Sequence, residues 1–135
     1  MSVLPDRPSE LIRVALDDLE KCEADPRYET HMYSWHDPHD GKCLVCMAGA
    51  VMAKRLGAPP ALSLAPYSYD FQTARKLRAI DYGRCGLLDE MLFQLNIERP
   101  KELPSYIDVA YYDDDPAAFK SDMRKLAELL EAHGL

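Results

Sequence analysis

Residues 43–56 read Cys-Leu-Val-Cys-Met-Ala-Gly-Ala-Val-Met-Ala-Lys-Arg-Leu and are closed by Gly57. No charge occurs in this stretch before Lys54, so a helix on it is apolar on every side, the pattern of a helix surrounded by protein. The stretch is therefore expected to be the central helix of the fold. Its small residues Ala48, Gly49, Ala50 and Ala53 let neighbouring backbones approach closely, and Gly49 is tolerated at a cost of about 1 kcal/mol relative to alanine in a helix interior. Gly57 suits the left-handed position after a helix, and Pro59-Pro60 forbids continuation, so residues 58–69 are expected to be a connecting loop.

Upstream, residues 6–22 carry a helical stripe of Leu11, Ile12, Ala15, Leu16, Leu19 and Cys22, with Asp6 or Ser9 as cap, Pro8 in the first turn and Asp25-Pro26 as the stop. Tyr28, Tyr33 and Trp35 stand in an aromatic and polar stretch that reads as extended, and Asp37-Pro38-His39-Asp40-Gly41 has the composition of a turn. Downstream, Asp70 caps a helix expected over 71–82 and stopped by Gly83, with Gly86 close behind. A further helix over 87–96 shows Leu87, Leu88, Met91, Leu92 and Leu95 at buried spacing. Pro100 and Pro104 keep 97–105 irregular. A last helix begins with Asp115 as cap and Pro116 at its first position, and turns Phe119, Met123, Leu126, Ala127 and Leu130 inward up to Gly134. The expected fold is mainly α: about five helices packed around the 43–56 helix in a single domain spanning 1–135, with room for one short β-hairpin pairing 29–35 with 106–112.

The chain has 135 residues, of which 47% are hydrophobic and 29% charged, values ordinary for a soluble globular domain. The formal net charge of −7 disfavours nucleic-acid binding, because nonspecific affinity for phosphate backbones comes from cationic neutralisation. Mimicry of DNA would need the acids arrayed on one face, whereas they are spread among helix starts and solvent faces. The N-terminus lacks a basic segment followed by a long apolar run, so no secretory signal is expected, and nothing approaches the roughly 18 apolar residues of a membrane span. These features lead to the expectation of a cytoplasmic protein, with Cys22, Cys43, Cys46 and Cys85 as reduced thiols.

Three groups of residues are candidates for function. His36, His39, Cys43 and Cys46 fall within eleven residues, and zinc prefers four such ligands in a tetrahedron. Against this, the two pairs are adjacent instead of coming from separated knuckles, and Cys43 and Cys46 at i and i+3 would share one face of an apolar helix turn as core residues. A thiol-redox reading, with Cys43 activated at a helix N-terminus and His36 or His39 as base, has no sheet-forming segments around it. The second group, Arg75, Lys76 and Arg78, would make an anion or small-ligand site, or an ordinary solvated face. The third comprises Tyr33, Trp35, Tyr67, Tyr69, Tyr111 and Tyr112, which all fall in loop or extended regions, where such side chains are enriched in binding surfaces or serve as lids over a small core. Glycine-rich phosphate loops, His-Glu-x-x-His and Gly-x-Ser-x-Gly are absent. The reading that follows is a non-catalytic protein-binding module without a cofactor, with zinc or thiol chemistry as the alternative and anion binding as a third.

Ala24-Asp25-Pro26-Arg27-Tyr28, Trp35-His36, residues 41–53 from Gly41 through Cys43-Leu-Val-Cys46 to Ala53, and Tyr-Asp-Asp-Asp-Pro-Ala-Ala-Phe-Lys at 112–120 together resemble a group of small uncharacterised bacterial, phage and prophage proteins. The resemblance implies a mobile-element setting and, by analogy with small phage proteins, a host factor or defence component as partner. It carries over no functional residue.

Overall fold

The computed structural model describes residues 4–81 and 88–135. Five helices and three short strands are found among them: α1 Pro8–Glu23, β1 Tyr28–Thr30, β2 His36–His39, β3 Lys42–Val45, α2 Met47–Lys54, α3 Phe71–Ala79, α4 Leu88–Gln94 and α5 Pro116–Ala132, with a 3₁₀ turn at Pro66–Ser68. The five helices agree with the expectation of about five, and a small three-stranded sheet in place of a single hairpin makes the fold mixed α/β.

The decisive correction falls on residues 43–56. Asp40 and Gly41 both take positive φ, 49° and 81°, the pair of left-handed dihedrals that a two-residue hairpin turn requires. That turn folds Lys42–Val45 back along His36–His39 as an antiparallel partner, in the register His36↔Val45 to His39↔Lys42. The other edge of β3 pairs in parallel with β1, Tyr28↔Cys43 to Thr30↔Val45. The strand order is therefore β1-β3-β2, and the proposed pairing of 29–35 with 106–112 is replaced by pairing with 42–45. Cys46, with φ −90° and ψ −168°, is still extended and stands at the N-cap, so the helix begins only at Met47. The apolar run is thus half strand and half helix. A continuous apolar run does not distinguish a buried strand from a buried helix by periodicity alone.

Helix α2 does occupy the centre. Met47 through Met52 are all buried, and α2 packs against α1, α3, β2 and β3. Gly49 explains how: a Cβ built there would lie 1.6 Å from the Trp35 carbonyl oxygen. Only a residue without a side chain lets the segment before β2 run directly over the helix. At the other end, Gly57 has φ 77° and the Ala58 N–H donates to the Met52 carbonyl at 2.9 Å, the helix stop its position implied.

The flanking helices follow their sequence stripes. In α1 the six expected residues from Leu11 to Cys22 are buried, as are Phe119, Met123, Leu126, Ala127 and Leu130 in α5. Each such large aliphatic or aromatic side chain contributes about 1.5–3 kcal/mol by leaving water. Asp70 and Asp115 cap α3 and α5 by accepting from the backbone N–H of Thr73 and Ala118, both at 3.0 Å. The cap expected for α1 is corrected: Arg7 holds that position with no side-chain cap. Ser9 Oγ instead donates to the Leu135 carbonyl at 2.7 Å, and Asp6 accepts from Lys76. Helix α3 ends at Ala79, short of the expected 82, and α4 spans 88–94 of the expected 87–96. Leu87, Gly83, Gly86 and Cys85 lie outside the described residues. No helix among the described residues is long and apolar enough to cross a membrane.

Candidate functional site

The strand pairing decides where the His and Cys residues go. Side chains alternate between sheet faces along a strand, so His36 and Cys43 share the inner face with Val45 and Tyr28, while His39 stands on the outer face. His36 and Cys43 are fully buried, whereas the His39 side chain is 66% exposed and lies 3.3 Å from the neighbouring Asp40 carboxylate. Cys46 is buried at the helix start, its Sγ 4.0 Å from the Trp35 carbonyl. The four residues do not converge, and among the described residues no three His, Cys, Asp or Glu side chains are grouped to hold an ion.

His36 is fixed by its partner. A carbonyl can only accept, so Nδ1 must be the protonated nitrogen as it donates to Leu62 at 2.6 Å. Nε2 is buried with no hydrogen-bond partner among the described residues. Burial pushes the Cys43 thiol up to about 11 and the Cys22 thiol up to about 12. Both are protonated at neutral pH, the opposite of the activated thiolate that a redox or nucleophilic role requires.

The basic residues of α3 also have protein partners. Arg75 donates from Nε to the Gln94 carbonyl at 2.6 Å and from Nη2 to that of Phe93 at 2.8 Å, closing the C-terminal end of α4. Lys76 is buried and donates to the Leu4 carbonyl at 3.0 Å and to Asp6 at 2.7 Å, which holds the Asp6 carboxyl below its usual range. Arg78 is exposed. Asp6, Arg75 and Lys76 line one open cleft of about 540 Å³ with Phe71 and Leu95, so the cations there already face protein oxygens.

The aromatic residues divide. Trp35 is half-buried over Gly49; Tyr67 and Tyr69 lie on and just after the 3₁₀ turn, Tyr67 exposed and Tyr69 packed on the core. Tyr33, Tyr111 and Tyr112, by contrast, meet. With Met32, Phe119, Asp113 and Asp114 they line a cleft of about 240 Å³.

Each wall of the cleft is positioned by local structure. The chain leaves β1 with the His31 N–H still bonded to the Val45 carbonyl at 2.8 Å, then turns, with the Ser34 N–H donating to the His31 carbonyl at 3.1 Å. This turn presents Tyr33, which is 73% exposed, with the His31 ring edge-on at 6.1 Å. The opposite wall is the turn before α5, where the Asp115 N–H donates to the Tyr111 carbonyl at 3.1 Å and the Ala110 N–H to Asp122 at 2.9 Å. Tyr111 is 69% exposed there. Tyr112 forms the back wall: its ring meets buried Phe119 edge-on at 5.6 Å and its hydroxyl donates to Glu23, which also accepts from Lys120 at 2.9 Å. Burial, reinforced by the bond to Glu23, pushes the Tyr112 hydroxyl up to about 12.

The cleft therefore has a fixed, half-buried rear and two exposed rings at its mouth, with acidic Asp113 and Asp114 beside them. Among the described residues its lining is four aromatic rings, one methionine and two carboxylates, with no thiol or imidazole among them. Sequence reasoning found the tyrosines but not Met32, Asp113 or Asp114; the signal available for the acids was the Tyr-Tyr-Asp-Asp-Asp run leading into a helix cap. No family model, curated protein or solved structure matches the chain.

Proposed function

We propose that this chain is a protein-binding module and that the cleft between the turn at 31–34 and the turn at 111–114 is its recognition surface. The observation that carries this reading is the meeting of Tyr33 with the sequence-remote pair Tyr111 and Tyr112 on one concave surface. Tyrosines give a large amphipathic contact area at low conformational cost, and they concentrate at the energetic centres of interfaces. Tyr33 and Tyr111 leave most of their rings in water, whereas Tyr112 packed on Phe119 behind them holds the site in shape before a partner arrives. The resemblance to small phage and prophage proteins makes a cytoplasmic host factor or defence component the first partner to seek.

The test is affinity capture from bacterial lysate with three forms of the full chain. A partner retained by wild type and by Phe93→Ala, which alters an exposed ring outside this cleft, but lost by Tyr33→Ala/Tyr111→Ala, is the expected outcome. A partner held equally by all three forms would remove the cleft from the recognition surface.

A further inference from the structure

We infer that the occupant of the tyrosine cleft is an arginine side chain from a basic segment of the partner protein; this rests on the reading of the cleft as the recognition surface. The argument begins with what the cleft offers. Three tyrosine rings and Phe119 present π faces and edges, and the polar contribution comes from Asp113 and Asp114. No cation is among the lining residues. Lys120, the nearest candidate by sequence to the Phe119 wall, is turned to Glu23.

Ring faces carry negative potential and attract guanidinium within about 6 Å. At two other rings such a contact is made from within: Lys54 Nζ stands 4.9 Å and Arg27 Cζ 5.7 Å from the centre of the Tyr28 ring, and Arg75 Cζ 5.5 Å from that of Phe71. Among the described residues no such contact is made to Tyr33, Tyr111 or Tyr112. The cleft thus pairs aromatic faces with two carboxylates and leaves both open to a positive group from outside.

Size and charge narrow the choice. A volume of about 240 Å³ is below the roughly 300–1,000 Å³ of pockets that enclose small-molecule ligands. It suits one long side chain laid between two walls. Arginine fits the two features at once, because its planar guanidinium stacks on an aromatic ring while its edge N–H groups pair with carboxylates. The net charge of −7 adds long-range attraction for a basic segment.

The closing experiment titrates the full chain with a short Gly/Ser peptide carrying two arginines, and separately with the same peptide carrying citrulline, which keeps the shape and loses the charge. The readout is the tyrosine ring NMR signals, assigned with single Tyr→Phe variants. The arginine peptide is expected to shift the signals of Tyr33, Tyr111 and Tyr112, to bind at least about three-fold more tightly than the citrulline peptide, and to weaken as salt rises. Asp113→Asn/Asp114→Asn, at exposed positions with the cap Asp115 left intact, should reduce the arginine advantage without changing the melting temperature. Equal binding of the two peptides, or no ring shift at about 10 mM arginine peptide, overturns the inference. Capture that still depends on Tyr33 and Tyr111 after such a result leaves the recognition surface in place with a neutral occupant; capture indifferent to them removes both.

Discussion

The stretch from His36 to Cys46 and the cleft around Tyr33, Tyr111 and Tyr112 are both rich in reactive or adhesive side chains, but they answer to different geometry. In the first, strand alternation separates neighbours in sequence: His36 and Cys43 go into the core and His39 goes to water. In the second, folding brings remote residues together. Closeness along a strand places side chains three apart on opposite faces, whereas closeness across a fold depends on which turns the packing brings side by side. The dense motif is thus divided between core and solvent, and the scattered residues share one cleft.

The most severe way to break this contrast is at Gly49. If the first region is structural, Gly49→Ala should cost about 3 kcal/mol or more in urea unfolding, because the new Cβ meets the fixed Trp35 carbonyl and cannot be absorbed by a side-chain rotation. A loss below 1 kcal/mol would mean that the segment over α2 yields easily.

Cys43 offers a finer probe. Cys43→Ala should cost about 1 kcal/mol at neutral pH, the loss of one buried heavy atom and its contacts. It should also change the alkaline limb. Burial raises the folded-state thiol from 9.0 to about 11, so its protonated form stabilises the fold fully below pH 9 and that contribution fades as pH climbs through about 11. The wild-type chain should therefore lose stability more steeply than Cys43→Ala across that window. Iodoacetamide should modify Cys22, Cys43 and Cys46 only after unfolding, as peptide mass mapping would show; rapid native labelling of Cys43 would reopen the thiol chemistry.

In the cleft, effects on stability should be smaller and should separate rear from mouth. Tyr112→Phe removes the hydroxyl bonded to Glu23 and should cost about 1 kcal/mol. Tyr33→Ala should stay within about 0.5 kcal/mol, since its ring is mostly in water, while partner capture is lost. A Tyr33→Ala variant that melts far below wild type would turn the mouth of the cleft into a structural element.

Much of this was written locally. The stripes of α1 and α5 and the caps Asp70 and Asp115 are periodic and chemical signals that survive packing. The sheet was harder, because strands of three or four residues are too short for alternation to show against a continuous apolar run. Its one strong signal, Asp40-Gly41, reads as a turn in either fold, and only the residues it joins make it a hairpin. The tyrosines were legible as loop aromatics, but nothing in the order of residues says that the turn at 31–34 faces the turn at 111–114. That depends on β1 and on the N-terminal end of α5, each placed by contacts made elsewhere in the chain.

The sheet and the cleft also differ in when they can exist. All three strands lie between Tyr28 and Val45, so the sheet closes by short loops and can assemble early as the chain emerges from the ribosome. The cleft needs Tyr111, Tyr112 and Phe119 docked against the turn that carries Tyr33, and so waits for the beginning of α5. A nascent or truncated chain ending before that point could form the sheet but not the cleft, so the surface proposed for recognition arises only once synthesis has reached α5.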